Sequence, residues 1–492
     1  MSSSASTQVK RHLQTRHLSM IAIGGCIGTG LFMASGSAIS EAGPGGALVA
    51  YAAIGLMVYF LMTSLGEMAT YLPVSGSFST YAARFVDPSL GFALGWNYWF
   101  NWVITVAADV VIAAVVVSYW EPMRFMPPWA WSVCFFGLIF ALNLLSVKAY
   151  GESEYWFALI KVLTVIVFLA VGVLTIFGIL GGEYVGFANF TVGDAPFLGG
   201  SAGGQFLTML GVFLIAGFSF QGTELIGITA GESANPRESI PRAVRQVFWR
   251  ILIFYILAIA VIGLLIPYTS PQLLGADTHE IARSPFTLVF ERAGLAFAAA
   301  LMNAVILTSI LSAGNSGMYA STRMLYAMGK DGLAWPVFAQ TNARGVPMPA
   351  VLATAGVVLA IFLLQLNERL SESLYQYIVA ASGLTGFIAW LGIAVSHYRF
   401  RRAYVAQGRN LDDLVYRAKW FPVGPLLALS LCVLVIIGQD TSLVLHGELD
   451  WNRILVTYMG LPVFFAFFFY HKLRYRTSKV PLMQVDLRQD ID

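Results

Sequence analysis

The chain has 492 residues, 58% of them hydrophobic and only 11% charged. Soluble domains carry about 25% charged residues, so this composition excludes a soluble globular protein and reads as a polytopic membrane protein. The formal net charge of +3 is too small to imply a nucleic-acid partner, and Cys26, Cys134 and Cys432, all in apolar runs, give neither a disulfide framework nor metal-ligand spacing.

Residues 1–17 read as a polar tail. No separate hydrophobic leader precedes the first apolar run, which is expected to stay in the mature protein. That run, about 18–41, holds Ile21-Ala22-Ile23-Gly24-Gly25-Cys26-Ile27-Gly28-Thr29-Gly30-Leu31-Phe32, with four glycines in seven residues. A spanning helix must satisfy its own backbone, because lipid offers no hydrogen-bond partner. A glycine cluster at mid-depth therefore points to a helix that breaks there and turns amides toward a cavity, as transporters do for small anions. Close packing of a neighbouring helix is the competing reading.

Further runs of spanning length fall at about 45–69, 90–118, 129–147, 155–181 and 205–229, then 247–268, 288–320, 348–366, 374–397, 421–438 and 452–471. The expectation is an all-α protein with twelve transmembrane helices. With both termini cytoplasmic, 23 of the 29 Lys and Arg lie in cytoplasmic segments, which fixes orientation by the positive-inside rule. The sixth run repeats the glycine interruptions, with Gly217-Phe218-Ser219-Phe220-Gln221-Gly222-Thr223-Glu224 at its centre. Two interrupted helices five apart are the mark of a 5+5 inverted repeat with substrate at the midplane. The expected organisation is a transport core at 18–397, two peripheral helices at 398–472 and a cytoplasmic C-terminal tail at 473–492.

Charges inside the membrane cost about 2.5–3.5 kcal/mol even on a lenient scale and mark functional candidates. Asp109 lies deep in the third run, behind Trp96-Asn97-Tyr98-Trp99-Phe100-Asn101-Trp102; Lys161 lies in the fifth; Glu224 follows the break in the sixth. Either carboxylate suits a cationic substrate or a proton path, against a fixed structural role. Lys161 suits proton loading and release, against snorkelling to an interface. Glu67 and Glu232, at inner helix ends, suit pairing with arginines. No enzyme is expected: the six histidines form no metal pair, and no Ser/His/Asp set is visible. Gly25-x-x-Gly28-x-Gly30 lacks the strand that a nucleotide loop needs.

The segment Ile23 to Phe32, followed by Glu41-Ala42-Gly43-Pro44-Gly45-Gly46, resembles helix 1 of the amino-acid/polyamine/organocation transporters. Gly66-Glu67-Met68 with Pro73-Val74-Ser75-Gly76-Ser77-Phe78 resembles that family's second helix end and inner loop. Three stretches, 95–102, 217–227 and 312–323, resemble its bacterial lysine permeases more closely. The resemblance spans about residues 10 to 470. It implies a leucine-transporter-type fold with helices 1 and 6 broken, placed in a bacterial inner membrane. It also implies alternating access and L-lysine import by proton symport, with no cofactor; the alternatives are a broader cationic or aromatic amino acid permease or exchanger and, more remotely, a nutrient sensor of transporter fold. By the same resemblance, amides of Gly28, Thr29 and Gly30 meet the substrate carboxylate, and carbonyls of Cys26, Phe218 and Gln221 meet its α-ammonium. Phe218 with Tyr98 or Trp102 closes over it, and Lys161 couples the proton. Apart from the resemblance, Asp109 or Glu224 is expected to face the side chain, and Ser312 is a candidate partner of Lys161.

Overall fold

The computed structural model describes residues 13–25, 27–145, 147–274, 284–364, 368–439 and 451–489. Regular structure among these residues is helical, apart from one isolated bridge between Leu13 and Ser233. Helix α1 (Thr15–Gly24) stops at the first glycine pair. Helical backbone resumes with a π turn at Gly30–Ala34 and runs on to Tyr71; this segment is α2 (Gly30–Tyr71). It folds into two limbs at Gly43, whose φ of 77° is open to glycine and strained for other residues. Pro44 starts the second limb, where a missing amide costs nothing. The Gly45 and Gly46 amides there donate to the Pro196 carbonyl at 2.9 and 3.2 Å.

A short helix α3 (Ser77–Phe85) leads to α4 (Pro88–Val117), started by Asp87, whose side chain accepts from the Ser89 amide at 2.9 Å. Then follow α5 (Pro128–Asn143) and α6 (Val147–Ile176). Helix α7 (Ala202–Phe220) ends in a four-residue break before the short α8 (Leu225–Thr229). Helix α9 (Pro236–Leu265) contains a π turn at Ile251–Ile256. The run expected at 288–320 is divided, because Gly294 (φ 78°) separates α10 (Pro285–Arg292) from α11 (Ala296–Lys330). The remaining helices are α12 (Met348–Leu364), α13 (Glu368–Ala406), α14 (Val423–Ile437), α15 (Trp451–Tyr458) and α16 (Gly460–Tyr475).

Seven helical segments among the described residues are long and apolar enough to cross a membrane, and α5, α12 and α14 are shorter apolar helices. This is a multi-pass membrane protein. The most apolar window of α4 is 83% buried and that of α6 only 28%, so α4 is the central post and α6 shows much of its surface to lipid. Helix α4 packs on α11 and α13, and α1 packs on α6.

The end of the bundle that carries the arginine clusters is tied by buried ion pairs. Glu67 on α2 accepts from Arg401 on α13 and from the Ala418 amide. Glu232, just past α8, accepts from Arg323 on α11 at 2.8 Å and from the Tyr319 hydroxyl at 2.6 Å. Both glutamates therefore pair with arginines, as their positions suggest. The chain after α16 lies across the same face: Val480 donates to the Val86 carbonyl at 2.9 Å, and Tyr71 donates to the Leu487 carbonyl at 2.5 Å.

Candidate functional site

The two helix breaks face each other. A Cβ on Gly30 would lie 2.4 Å from Ser219 Cα and 2.8 Å from Ser219 N, so only glycine lets the start of α2 meet the end of α7 this closely. Gly25 donates to the Ile21 carbonyl and Ile27 to the Gly24 carbonyl, which closes the end of α1. The residues that begin the next helical segment, Gly28, Thr29 and Gly30, are buried. First-turn amides of a helix have no intrahelical acceptor, and they sit at the positive end of its dipole. Cys26 lies outside the described residues.

Across the gap, Gln221 and Gly222 (φ 93°) turn the chain out of α7. The Gln221 amide donates to the Phe218 carbonyl at 3.2 Å, leaving that oxygen one lone pair for another donor. The Gln221 side chain donates to Asn101 Oδ1 (2.9 Å) and to the Ser382 carbonyl (3.0 Å). Thr385 Oγ1 also donates to Asn101 Oδ1, at 2.8 Å. This polar cluster joins α4, the α7 break and α13. Asn101, Ser382 and Thr385 were not singled out by sequence reasoning, since lone amides and hydroxyls on apolar helices carry no periodic signal.

The two candidate carboxylates have different surroundings. Glu224 is filled with donors: Tyr98 OH at 3.1 Å, Trp390 Nε1 at 3.2 Å, and the Gly222 amide at 3.2 to 3.3 Å from its two oxygens. It caps the break in which it lies. Asp109 accepts from Thr29 Oγ1 at 2.5 Å through one oxygen, and its other oxygen, Oδ2, is buried with no hydrogen-bond partner among the described residues. Leaving a buried carboxylate oxygen unpaired is costly, so Asp109 Oδ2 is an acceptor set against the α1–α2 break with capacity to spare. Tyr98 meets Phe78 edge-on at 4.5 Å and Trp102 at 6.1 Å, forming an aromatic wall on α4; both residues and Phe218 are buried.

Lys161 is 1% exposed, which removes snorkelling as its role. Its Nζ donates to the Gly24 carbonyl at 3.1 Å, at the C-terminus of α1. It also interacts electrostatically with Asp109 and with Glu154. Ser312, expected beside Lys161, donates to Glu154 Oε2 at 2.8 Å, and Asn315 donates to Glu154 Oε1 at 2.6 Å. Sequence reasoning passed over Glu154 because it closes the polar stretch Gly151-Glu152-Ser153-Glu154. Its seven-residue spacing from Lys161, which puts both on one face of α6, was the available signal.

A bundle of apolar helices with two facing breaks, a buried lysine and buried carboxylates defines a membrane transporter of small polar solutes. The family model described as amino acid permease matches residues 17–483, and the chain belongs to that family. It is 56% identical to a lysine-specific permease of Escherichia coli over 96% of each chain. It is 55% identical to a lysine-specific permease of Lactococcus lactis, covering 100% of this chain and 95% of that one. A histidine permease of Lactococcus lactis is 50% identical over 98% and 99% of the two chains. Among solved structures, the manganese transporter of Eremococcus coleocola superposes with a TM-score of 0.55 over 94% of each chain; at 14% identity it shows the shared fold alone. The chain is thus an amino acid permease, a transport protein and not an enzyme.

Proposed function

We propose that this permease imports L-lysine together with a proton across a bacterial inner membrane, by alternating access. Its twelve spans would form a 5+5 inverted repeat plus two peripheral helices, with both termini in the cytoplasm. The observation that carries the reading is the unpartnered Asp109 Oδ2 beside Thr29, close to both the α1–α2 break and Lys161. The substrate carboxylate binds the Gly28, Thr29 and Gly30 amides, and its α-ammonium binds carbonyls of Cys26, Phe218 and Gln221. The side-chain ammonium goes to Asp109 in preference to Glu224, whose oxygens already have four donor contacts. Tyr98, Trp102 and Phe218 close over the aliphatic chain. Lys161 exchanges the coupled proton, and two lysine-specific relatives above 50% identity support the substrate. Lysine and a proton together bring two positive charges inward, each driven by about 2.3 kcal/mol per 100 mV of interior-negative potential.

The histidine permease at 50% identity favours a second reading, a permease or exchanger of wider scope for cationic or aromatic amino acids. Uptake of labelled lysine by proteoliposomes, with unlabelled lysine, histidine, arginine and tyrosine as competitors, separates the two. Competition by lysine alone supports the first reading; equal competition by histidine or arginine supports the second.

A further inference from the structure

Glu154 has no part in the reading above, yet it is 2% exposed and built into a dedicated polar site. Ser312 and Asn315 donate to it from α11, and Asn315 Oδ1 in turn accepts from Asn143 Nδ2 of α5 at 2.8 Å, which fixes the Asn315 amide. Lys161 stands two turns further along α6, about 10 Å by helical rise. The lysine chain leans back along α6, and its Nζ reaches the Gly24 carbonyl beside Ala158, one helical turn from Glu154.

Toward the arginine-rich face the polar groups continue. Ser316, the next residue on α11, accepts from Tyr150 OH at 3.3 Å. The Tyr150 ring stacks on Tyr319 at 4.1 Å, and Tyr319 OH donates to Glu232, the partner of Arg323. The charged and titratable groups around Glu154 are therefore Lys161 and Tyr150 on α6, Tyr319 and Arg323 on α11, Glu232 beyond α8, and Asp109 on α4 on the far side of Lys161. From α1, His17 and Arg16 pair with Glu152.

We propose that Glu154 is the proton acceptor on the release side of the cycle. This rests on the proton-symport reading. A proton leaves Lys161 Nζ, which becomes a neutral amine, and bonds to a Glu154 carboxylate oxygen, which becomes a carboxylic acid. No electrons are exchanged. Opening of the Glu232–Arg323 closure then admits water, the proton passes to it, and the Glu154 carboxylate is restored. Ser312 and Asn315 use one lone pair on each oxygen, so each oxygen keeps one for the incoming proton.

The test compares Glu154→Gln and Glu154→Asp with wild type in proteoliposomes, measuring lysine accumulation under an imposed pH gradient and lysine/lysine counterflow with no gradient. Glu154→Gln keeps the shape and one of the two acceptor oxygens but cannot take the proton. The expected result is counterflow within threefold of wild type and gradient-driven accumulation down at least tenfold, with accumulation recovered in Glu154→Asp. Undiminished accumulation in Glu154→Gln overturns the proposal. So does an equal loss of counterflow and accumulation in both variants, which would make Glu154 a pin between α6 and α11. A wild type that ignores the gradient overturns the symport reading itself, and is recognised by needing no variant.

Discussion

The Lys161 ammonium donates to the Gly24 carbonyl at 3.1 Å and so ties α6 to the last turn of α1. A carbonyl in that turn has no intrahelical donor, and a cation there is favoured by the helix dipole. Protonated Lys161 therefore holds α1 against α6, where Gly24 already lies on Ala158. In the proposed coupling, loss of the proton would weaken that tie and bias the equilibrium between states in which α1 sits differently.

Replacing Gly30 by Val is expected to abolish uptake while leaving the protein inserted and soluble in mild detergent. The added Cβ meets the Ser219 backbone, which cannot move aside as a side-chain tip can. Fluorescence-detected gel filtration reports folding and labelled-lysine uptake reports function. Wild-type uptake by the inserted variant would mean that the two breaks need not touch.

Asp109→Asn is expected to weaken lysine binding by roughly 10- to 100-fold, the worth of a hydrogen bond to a charged group, and to affect a neutral amino acid much less. Glu224→Gln loses donors that belong to the protein, so it should weaken all substrates to a similar degree. Competition binding with lysine and a neutral analogue such as norleucine measures both. The opposite pattern would give Glu224 the side-chain role.

Arg401→Met leaves buried Glu67 without its two-pronged guanidinium partner, with only His397 at 3.3 Å and the Ala418 amide remaining. Breaking a buried pair on one side costs about 3–5 kcal/mol, so a marked fall in melting temperature is expected. The double variant Glu67→Gln with Arg401→Met should recover part of it. Scanning fluorimetry in detergent is the check, and a double variant no more stable than Arg401→Met would contradict the pairing argument.

Asp87 and Lys472 make an ion pair at 2.5 Å outside the spans. Burial pushes the Asp87 carboxyl up, but Lys472, the Ser89 amide and Thr477 together hold it below its ordinary value. A carboxyl depressed in the folded state stabilises above its unfolded pKa, about 3.9, and that contribution fades as pH falls through the folded value. Asp87→Asn keeps a good helix cap and removes only the charge. It should lower stability by up to about 1 kcal/mol at pH 7, and the difference from wild type should shrink below about pH 4. A difference unchanged between pH 7 and pH 3 would contradict the pairing.

Much of this arrangement was legible in the sequence, because its causes are local. Glycines at 24, 25, 28 and 30 interrupt a helix wherever it packs, and a lysine amid Val, Leu and Ile announces itself by cost. What escaped depends on tertiary neighbours. Whether Asp109 or Glu224 has an oxygen to spare follows from Tyr98 and Trp390 reaching Glu224 across the bundle. Glu154 stands just before the apolar run that begins near 155, and only Ser312 and Asn315 of α11 make it part of a site. The division between α10 and α11 falls at Gly294, just after the charged pair Glu291-Arg292, inside a run whose hydropathy resumes at once.

The most direct test of the coupling account is lysine accumulation by proteoliposomes containing purified Lys161→Ala, under an imposed inward proton gradient, beside lysine/lysine counterflow. The account predicts that counterflow persists while accumulation no longer responds to the gradient. Accumulation by Lys161→Ala that rises with the gradient as steeply as in wild type would contradict it, and would place the proton on Asp109 or Glu224 instead.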